Sequence, residues 1–596
     1  MTTFEIKEDF MLNGQPFKII SGAIHYFRLP TSQWEDSLYN LKALGANTVE
    51  TYLPWNIHEP AEGVFDFAGM KDVEAFVSLA QRLGLWVILR PSVYICAEWE
   101  FGGLPAWLLK ESGIRLRSTD ERFMSRVANY YQELLPRLAP LQVTQGGPVL
   151  MMQIENEYGS YGMDKEYLKA TKALMEAGGI EVPLFTSDGA WEEALDAGTL
   201  IDEDVFVTGN FGSRSKENAA VLQQYFADHG KKWPLMCMEY WDGWFNRWGE
   251  PVIKRDPADL AMEVKEMLKL GSVNLYMFHG GSNFGFYNGC SAREEKDLPQ
   301  VTSYDYDALL TEAGEPTEKY YLVQQAIKEV CPDVWQAEPR TKTLKNLGSY
   351  PINKSVSFFQ TKEQMITPVA SAYPQTMEQL DANYGYLLYD LELKNYQREN
   401  KLKIVEVSDR VQVFVDGQLQ EVATTALGSE MMLQPGDQET MEVAVLVENQ
   451  GRVNYGYKFN NPSQAKGIRG GVMQDIHFHQ GYRHYPLTLA PEQIDKIDFS
   501  AGKNPQQPSF YAADFTLEEV ADTFIDCSAY GKGVVLVNGF NLGRYWSKGP
   551  IHSLYCPKDF LKVGANQIVI FETEGVELTA VTFSETPICD ESLPPV

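Results

Sequence analysis

The chain of 596 residues predicts an α/β fold, a (β/α)8 barrel, followed by two all-β domains of jelly-roll or sandwich type. Three observations predict it. Over the first 330 residues, eight short apolar runs are separated by segments with helical periodicity. From about Glu338 that periodicity fades and short alternating runs replace it. Two of the barrel-type runs end in glutamates, at the strand ends where such barrels place their chemistry. The rival, an open doubly wound sheet, needs a glycine-rich phosphate turn after its first strand, and Ser21-Gly22-Ala23-Ile24-His25 is not one.

In order, the first strand is expected within Phe17 to Tyr26. A helix follows, with Ser32 and Glu35 as a capping box, Trp34, Leu38 and Leu41 on one face, and Gly45 as its stop. Asn47 to Trp55 is the second strand. The next helix carries Val73, Phe76, Val77, Ala80 and Leu83 and stops at Gly84. Leu85 to Tyr94 is the third strand, followed by a helix through Arg122 to Leu135. Val149 to Ile154 is the fourth strand, and helix Lys165 to Ala177 ends at Gly178-Gly179. Pro183 to Ser187, Val205 to Thr208 and Pro234 to Met238 are strands five to seven. Asp256 caps the next helix with Pro257 in its first turn. Val273 to Phe278 is the eighth strand, and helix Tyr320 to Val330 closes the set.

The barrel is thus expected over 1–330, a linker over 331–345, and all-β domains over 346–490 and 491–596. Each all-β domain carries one hairpin signal: Val411 to Val415 before Asp416-Gly417, and Val534 to Val537 before Asn538-Gly539.

With 44% hydrophobic and 22% charged residues, the composition is that of a soluble globular protein. A net charge of −30 repels phosphate backbones and anionic lipid, which argues against nucleic-acid and membrane partners. The start, Met1 to Asp9, lacks the basic and apolar parts of a signal peptide. Seven scattered cysteines read as reduced thiols. Both point to the cytoplasm. No metal is expected, since H-E-x-x-H and C-x-x-C are missing and His477 and His479 read as ordinary polar residues. No cofactor is expected either: there is no P-loop and no nucleophile elbow.

The chemistry is carried by glutamates. Gln153-Ile154-Glu155-Asn156-Glu157-Tyr158-Gly159 continues the buried run Val149 to Met152, and Glu239 follows Met236-Cys237-Met238. An isolated Asn-Glu pair is ordinarily a surface turn. Two carboxyls at the mouths of two core strands instead suit glycosidic bond cleavage, in which one carboxyl donates a proton and the other attacks or activates water. Glu157 suits the acid, sheltered enough to hold its proton. Asn156 suits the sugar 2-hydroxyl. Glu239 suits the nucleophile, which must stay ionised, as a nearby Tyr hydroxyl or Arg favours. A retaining reaction needs the carboxyls about 5–5.5 Å apart, an inverting one about 6.5–9.5 Å. Glu98, in Tyr94 to Pro105 after strand three, is placed to hold sugar hydroxyls. Tyr52, on strand two, and Tyr306, after strand eight, can face the same pocket. His58 reads as a structural hydrogen-bonder.

Taken together, these segments resemble glycoside hydrolase family 35, the β-galactosidases. The resemblance runs from Ser21-Gly22-Ala23-Ile24-His25-Tyr26 to Tyr306 and more weakly beyond. It is specific because Tyr94 to Pro105, Gln153 to Tyr161 and Glu239 to Trp244 occur jointly and in order. It implies a retaining exo-β-galactosidase with Glu157 as proton donor and Glu239 as nucleophile. It implies galactose contacts at Tyr52, Ile95, Cys96, Ala97, Glu98, Asn156 and Tyr306, and a galactose-binding-like jelly roll in the last domain. Phe211-Gly212-Ser213, Trp241 to Trp248 and Gly451 to Gly456 are similar to a bacterial subgroup, the BgaC-type enzymes. That likeness implies a preference for galactose β-1,3-linked to N-acetylglucosamine, with Trp241, Trp244 and Tyr455 shaping the site for the second sugar. It also implies a homodimer and a link to the cell surface by a non-classical route. An exo-β-glucosaminidase and a non-catalytic sugar-binding protein are the alternative functions.

Overall fold

The computed structural model describes residues 2–294, 296–424, 428–504 and 506–592. A small antiparallel meander, Phe4–Ile6, Phe10–Leu12 and Gln15–Pro16, precedes a closed barrel of eight strands. These are β1 (Ile20–Ile24), β2 (Thr48–Tyr52), β3 (Trp86–Arg90), β4 (Val149–Asn156), β5 (Leu184–Gly189), β6 (Phe206–Asn210), β7 (Met236–Trp241) and β8 (Ser272–His279). Neighbours pair in parallel all the way round, and β8 closes on β1 with Val273 opposite Ile20. The strands are buried along nearly their whole length, which is why they read as continuous apolar runs rather than alternating ones.

The outer helices are α1 (Trp34–Leu44), α2 (Val73–Arg82), α3 (Glu121–Leu138), α4 (Lys165–Ala177), α5 (Glu192–Gly198), α6 (Ser215–Asp228), α7 (Pro257–Leu270) and α8 (Glu318–Val330). Caps were legible where Asp or Gly supplies them. Asp256 accepts from the amide of Asp259 at the start of α7, and Gly45 ends α1 with φ 111°. The Ser32–Glu35 capping box does not form. A 3-10 turn over Thr31–Gln33 runs straight into α1, so Ser32 lies inside helical geometry instead of the extended geometry of an N-cap. Helices α5 and α6 carry no such signal. Their buried faces mix small residues with a few large ones, Ala194, Leu195 and Gly198 in one and Ser215, Ala219, Leu222, Tyr225 and Phe226 in the other. Among the described residues no helix is long and apolar enough to cross a membrane.

The rest of the described chain is mostly β. A six-stranded sheet and a four-stranded sheet enclose one apolar core, including Leu387, Ile404, Val413, Val445 and Val472. A five-stranded and a four-stranded sheet enclose a second, including Tyr511, Val535, Ile570 and Phe583. Both hairpin turns form where expected, with Asp416 and Gly417 at φ 47° and 75° and Asn538 and Gly539 at φ 49° and 86°. The boundary expected at 346 differs from the sheet pairing. Ser349–Pro351 pairs with Ala580–Ser584, and Lys354–Ser357 pairs with Ser509–Leu517, so both strands belong to the last pair of sheets. Chain order hides this, because the strands pair with partners more than 150 residues downstream.

The first pair of sheets is locked onto the barrel mouth. A hairpin after β8, Cys290–Arg293 with Lys296–Pro299, pairs with Val453–Tyr455 from the all-β region. Beside it, the buried Arg452 guanidinium binds Glu100 of the barrel at 2.6 Å and also Glu378, with both carboxylates fully buried. Removing one partner of a buried cluster leaves the others uncompensated, at a cost of about 3–5 kcal/mol. Arg452→Ala is therefore expected to lower the urea midpoint of unfolding by an amount equivalent to that loss. An unchanged midpoint would show that the cluster does not hold the two parts together.

Candidate active site

Glu239 lies in the last half of β7 beside Asn210, its register partner at the end of β6. Its Oε1 accepts from the Tyr52 hydroxyl at 2.5 Å and from Arg90 at 2.8 Å, and its Oε2 accepts from the Trp241 indole at 3.1 Å. Three donors from β2, β3 and β7 thus fix both oxygens. The Tyr52 hydroxyl also contacts Asn156 Oδ1 at 2.9 Å, and Arg90 reaches the same oxygen at 2.9 Å. Asn156 spends one amide hydrogen on the Ile95 carbonyl at 3.2 Å, so it has a second N–H to offer a ligand. Arg90 is fully buried. Burial alone would lower it, yet Tyr52, Glu239 and Glu50 around it hold its proton more tightly than usual.

Glu157 follows β4 with φ 46°, a left-handed conformation that side chains rarely adopt. Its backbone N–H donates to the Ser187 carbonyl at 2.9 Å. Asp188 Oδ1 accepts from the Gly159 amide at 2.7 Å and pins the turn that follows. The carboxyl accepts from Asn210 Nδ2 at 3.0 Å through Oε1. The Ser187 hydroxyl donates to Asn210 Oδ1 at 2.6 Å, which fixes the amide so that its N–H side faces Glu157. With Oε1 occupied as an acceptor, Oε2 is left to carry a proton. Burial first, and then the nearby charge of Glu239, push the Glu157 carboxyl up to about 8. The two glutamates therefore share one environment, linked through Asn210, which bonds Glu157 and is the register partner of Glu239, with Glu157 largely protonated at neutral pH.

Cys96, Ala97 and Glu98 all have positive φ, at 56°, 51° and 46°. Strain of this kind costs on the order of 1–3 kcal/mol per residue and persists only where the surroundings impose it. Here Asn454 donates to the Cys96 sulfur at 3.4 Å, Arg28 to the Ala97 carbonyl at 2.5 Å, and Tyr304 to the Glu98 carboxyl at 2.6 Å. Burial pushes Glu98 up to about 7. Tyr306, also at positive φ, packs its ring 5.5 Å from Tyr276. His58 is structural: Tyr26 bonds its Nε2 at 2.6 Å, its Nδ1 meets the Asp66 carbonyl at 3.0 Å, and burial lowers it to about 4.

A cleft of about 770 Å³ opens from Glu157, with Tyr455 on its wall. Trp241 and Trp244 do not line it. They pack edge-to-face on each other at 5.8 Å, with Trp241 tied to Glu239. The structure thus joins Tyr52, Asn156, Trp241 and Glu239 directly and puts Tyr455 with Glu157, but does not set the two tryptophans on one wall with Tyr455. Sequence reasoning missed Arg90, Asn210, Ser187, Arg28 and Tyr304. Arg90 bears the mark that exposed the glutamates, a polar residue ending the apolar run Leu85 to Leu89, whereas Asn210 follows Val205 to Val207 only after Thr208 and Gly209. The others are set by contacts between distant segments and have no local sign.

Residues 9–330 match the sequence profile of Glycosyl hydrolases family 35. Residues 374–488 match that of the first all-beta domain of beta-galactosidase, and 508–566 that of its galactose-binding domain. The chain is 40% identical to a Beta-galactosidase of Xanthomonas manihotis, over 92% of this chain and 90% of that protein. It is 38% identical to Beta-galactosidase-1-like protein 2 of Homo sapiens, over 97% of this chain and 90% of that one. It is 37% identical to a Beta-galactosidase of Mus musculus, over 98% and 94%.

Proposed function

The chain belongs to glycosyl hydrolase family 35 and is a β-galactosidase, and from that premise we propose that it releases terminal β-linked galactose by double displacement, with Glu239 as nucleophile and Glu157 as acid and base. The observation that carries this reading is the pairing of a carboxyl raised to about 8 with a second carboxylate held by Tyr52, Arg90 and Trp241.

In the first step a Glu239 oxygen bonds to the anomeric carbon as the bond from that carbon to the leaving oxygen breaks. The Glu157 proton passes to the leaving oxygen. In the second step the Glu157 carboxylate takes a proton from water, the water oxygen bonds to the anomeric carbon, and the ester to Glu239 breaks. Asn156 offers its free N–H to the 2-hydroxyl, and Tyr52, Ile95, Tyr306 and the strained run Cys96, Ala97 and Glu98 surround the galactose. A panel of aryl glycosides tests the assignment: faster cleavage of glucosaminide than galactoside would select the exo-β-glucosaminidase alternative.

The proposed preference for galactose β-1,3-linked to N-acetylglucosamine is supported by Tyr455, which lines the same cleft as Glu157, and by Trp241, which bonds Glu239 and packs on Trp244. Faster hydrolysis of the β-1,4 isomer would remove it.

The pH dependence follows from the acid. Glu157 must be protonated for the first step, so kcat/KM is expected to fall as pH rises through about 8. Asn210 favours the charged form of Glu157. Asn210→Ala should therefore move that alkaline limb upward, by about one pH unit for a hydrogen bond to a charged group. A pH profile whose limb stays or moves down contradicts the assignment.

A further inference from the structure

The cleft that opens from Glu157 is larger than one sugar needs. Its volume, about 770 Å³, lies in the range that holds drug-sized ligands, commonly about 300–1,000 Å³. Glu157 lines it, whereas Glu239, Tyr52 and Tyr306 do not. With Glu157 as the donor to the leaving oxygen, the space it lines is open to the group that leaves.

Its outer walls come from three rigidly joined segments. Arg117 pairs with Glu155 through two contacts of 2.8 Å and lies 3.6 Å and 4.2 Å from the ring centroids of Tyr94 and Tyr161. The Tyr161 hydroxyl donates to the Leu116 carbonyl at 2.7 Å and accepts from Asn460 of the all-β region at 2.5 Å. The walls of the cleft are thus braced by the protein's own contacts. Its lining is nevertheless left open. Tyr455 is 48% exposed, Tyr457 68% and Met163 81%, three large apolar side chains on one groove. The exposed Arg115 guanidinium also lines it and has no hydrogen-bond or acidic partner among the described residues, although the chain carries a net charge of −30. Flat rings and Met side chains suit the apolar faces of pyranoses, and an unpaired guanidinium supplies donors to hydroxyl oxygens.

We propose that the outer cleft is a second leaving-group subsite, built by Tyr457, Met163, Arg115 and Asn460, that seats the next sugar of an oligosaccharide. The substrate class it selects is a β-galactoside of three or more units. The proposal rests on Glu157 marking the bond that is cut.

The test compares galactosyl-β-1,3-N-acetylglucosamine with the trisaccharide that adds one galactose at its reducing end, in the wild-type enzyme and in Tyr457→Ala and Arg115→Ala. The trisaccharide is expected to have the higher kcat/KM by about tenfold, the effect of one stacked ring with one or two hydrogen bonds. Each variant is expected to bring that ratio toward one. Equal kcat/KM for both sugars in the wild type, or a ratio unmoved in both variants, overturns the subsite. If the wild type fails to cleave an aryl β-galactoside, the reading of the reaction itself falls and the subsite with it.

Discussion

Glu239→Gly is expected to lower kcat on aryl β-galactosides by on the order of ten-thousandfold or more, the scale on which a covalent nucleophile acts. The loss should be partly reversed by azide. The substitution removes the group that attacks the anomeric carbon and leaves a space where it stood. Tyr52, Arg90 and Trp241, which held its two oxygens, stay aimed at that space. A small anion entering there attacks from the side the carboxylate used, so the product is α-galactosyl azide. Hydrolysis that persists near the wild-type rate shows that another group attacks. Inactivity without rescue even at high azide, in a protein that unfolds normally, also counts against the role.

Glu157→Gln is expected to divide substrates by leaving group. A sugar leaving group needs the proton, and kcat/KM for the disaccharide should fall by about 10²–10⁴-fold. A dinitrophenyl group departs without help, so kcat/KM for that galactoside should stay within severalfold of wild type. Its turnover is then limited by the second step, which lacks its base. Azide should accelerate that step and yield β-galactosyl azide, the anomer opposite to that from Glu239→Gly. The alkaline limb near pH 8 should vanish from the disaccharide profile, because the group that titrates there is gone. Equal losses for both leaving groups would mean that Glu157 only supports the site.

The barrel was legible because a parallel sheet buried on both faces writes itself as apolar runs. All eight runs became strands, with ends displaced by a few residues. The glutamates were legible for the same reason in reverse: an acidic residue closing a core strand has few structural uses. What stayed hidden depends on contacts between remote parts of the chain. Ser187 is an ordinary strand residue until its hydroxyl meets Asn210, 23 positions later. Arg28 is an ordinary surface-type residue until it lies 3.7 Å from the Tyr304 ring centroid and bonds the Ala97 carbonyl. The run of left-handed residues at Cys96, Ala97 and Glu98 contains no glycine to announce it. Tyr455 sits over the barrel because Val453–Tyr455 pairs with a hairpin that leaves the barrel after β8, a crossing between domains that local pattern does not show.

One measurement tests the central claim most directly. A 2-deoxy-2-fluoro-β-galactoside with a good leaving group slows both steps but forms the covalent ester faster than it breaks. Peptide mapping of the inactivated protein by mass spectrometry should find the fluorogalactosyl group on Glu239 alone, released again when a sugar acceptor is added. The same label on any other carboxylate, Glu157 included, would contradict the account.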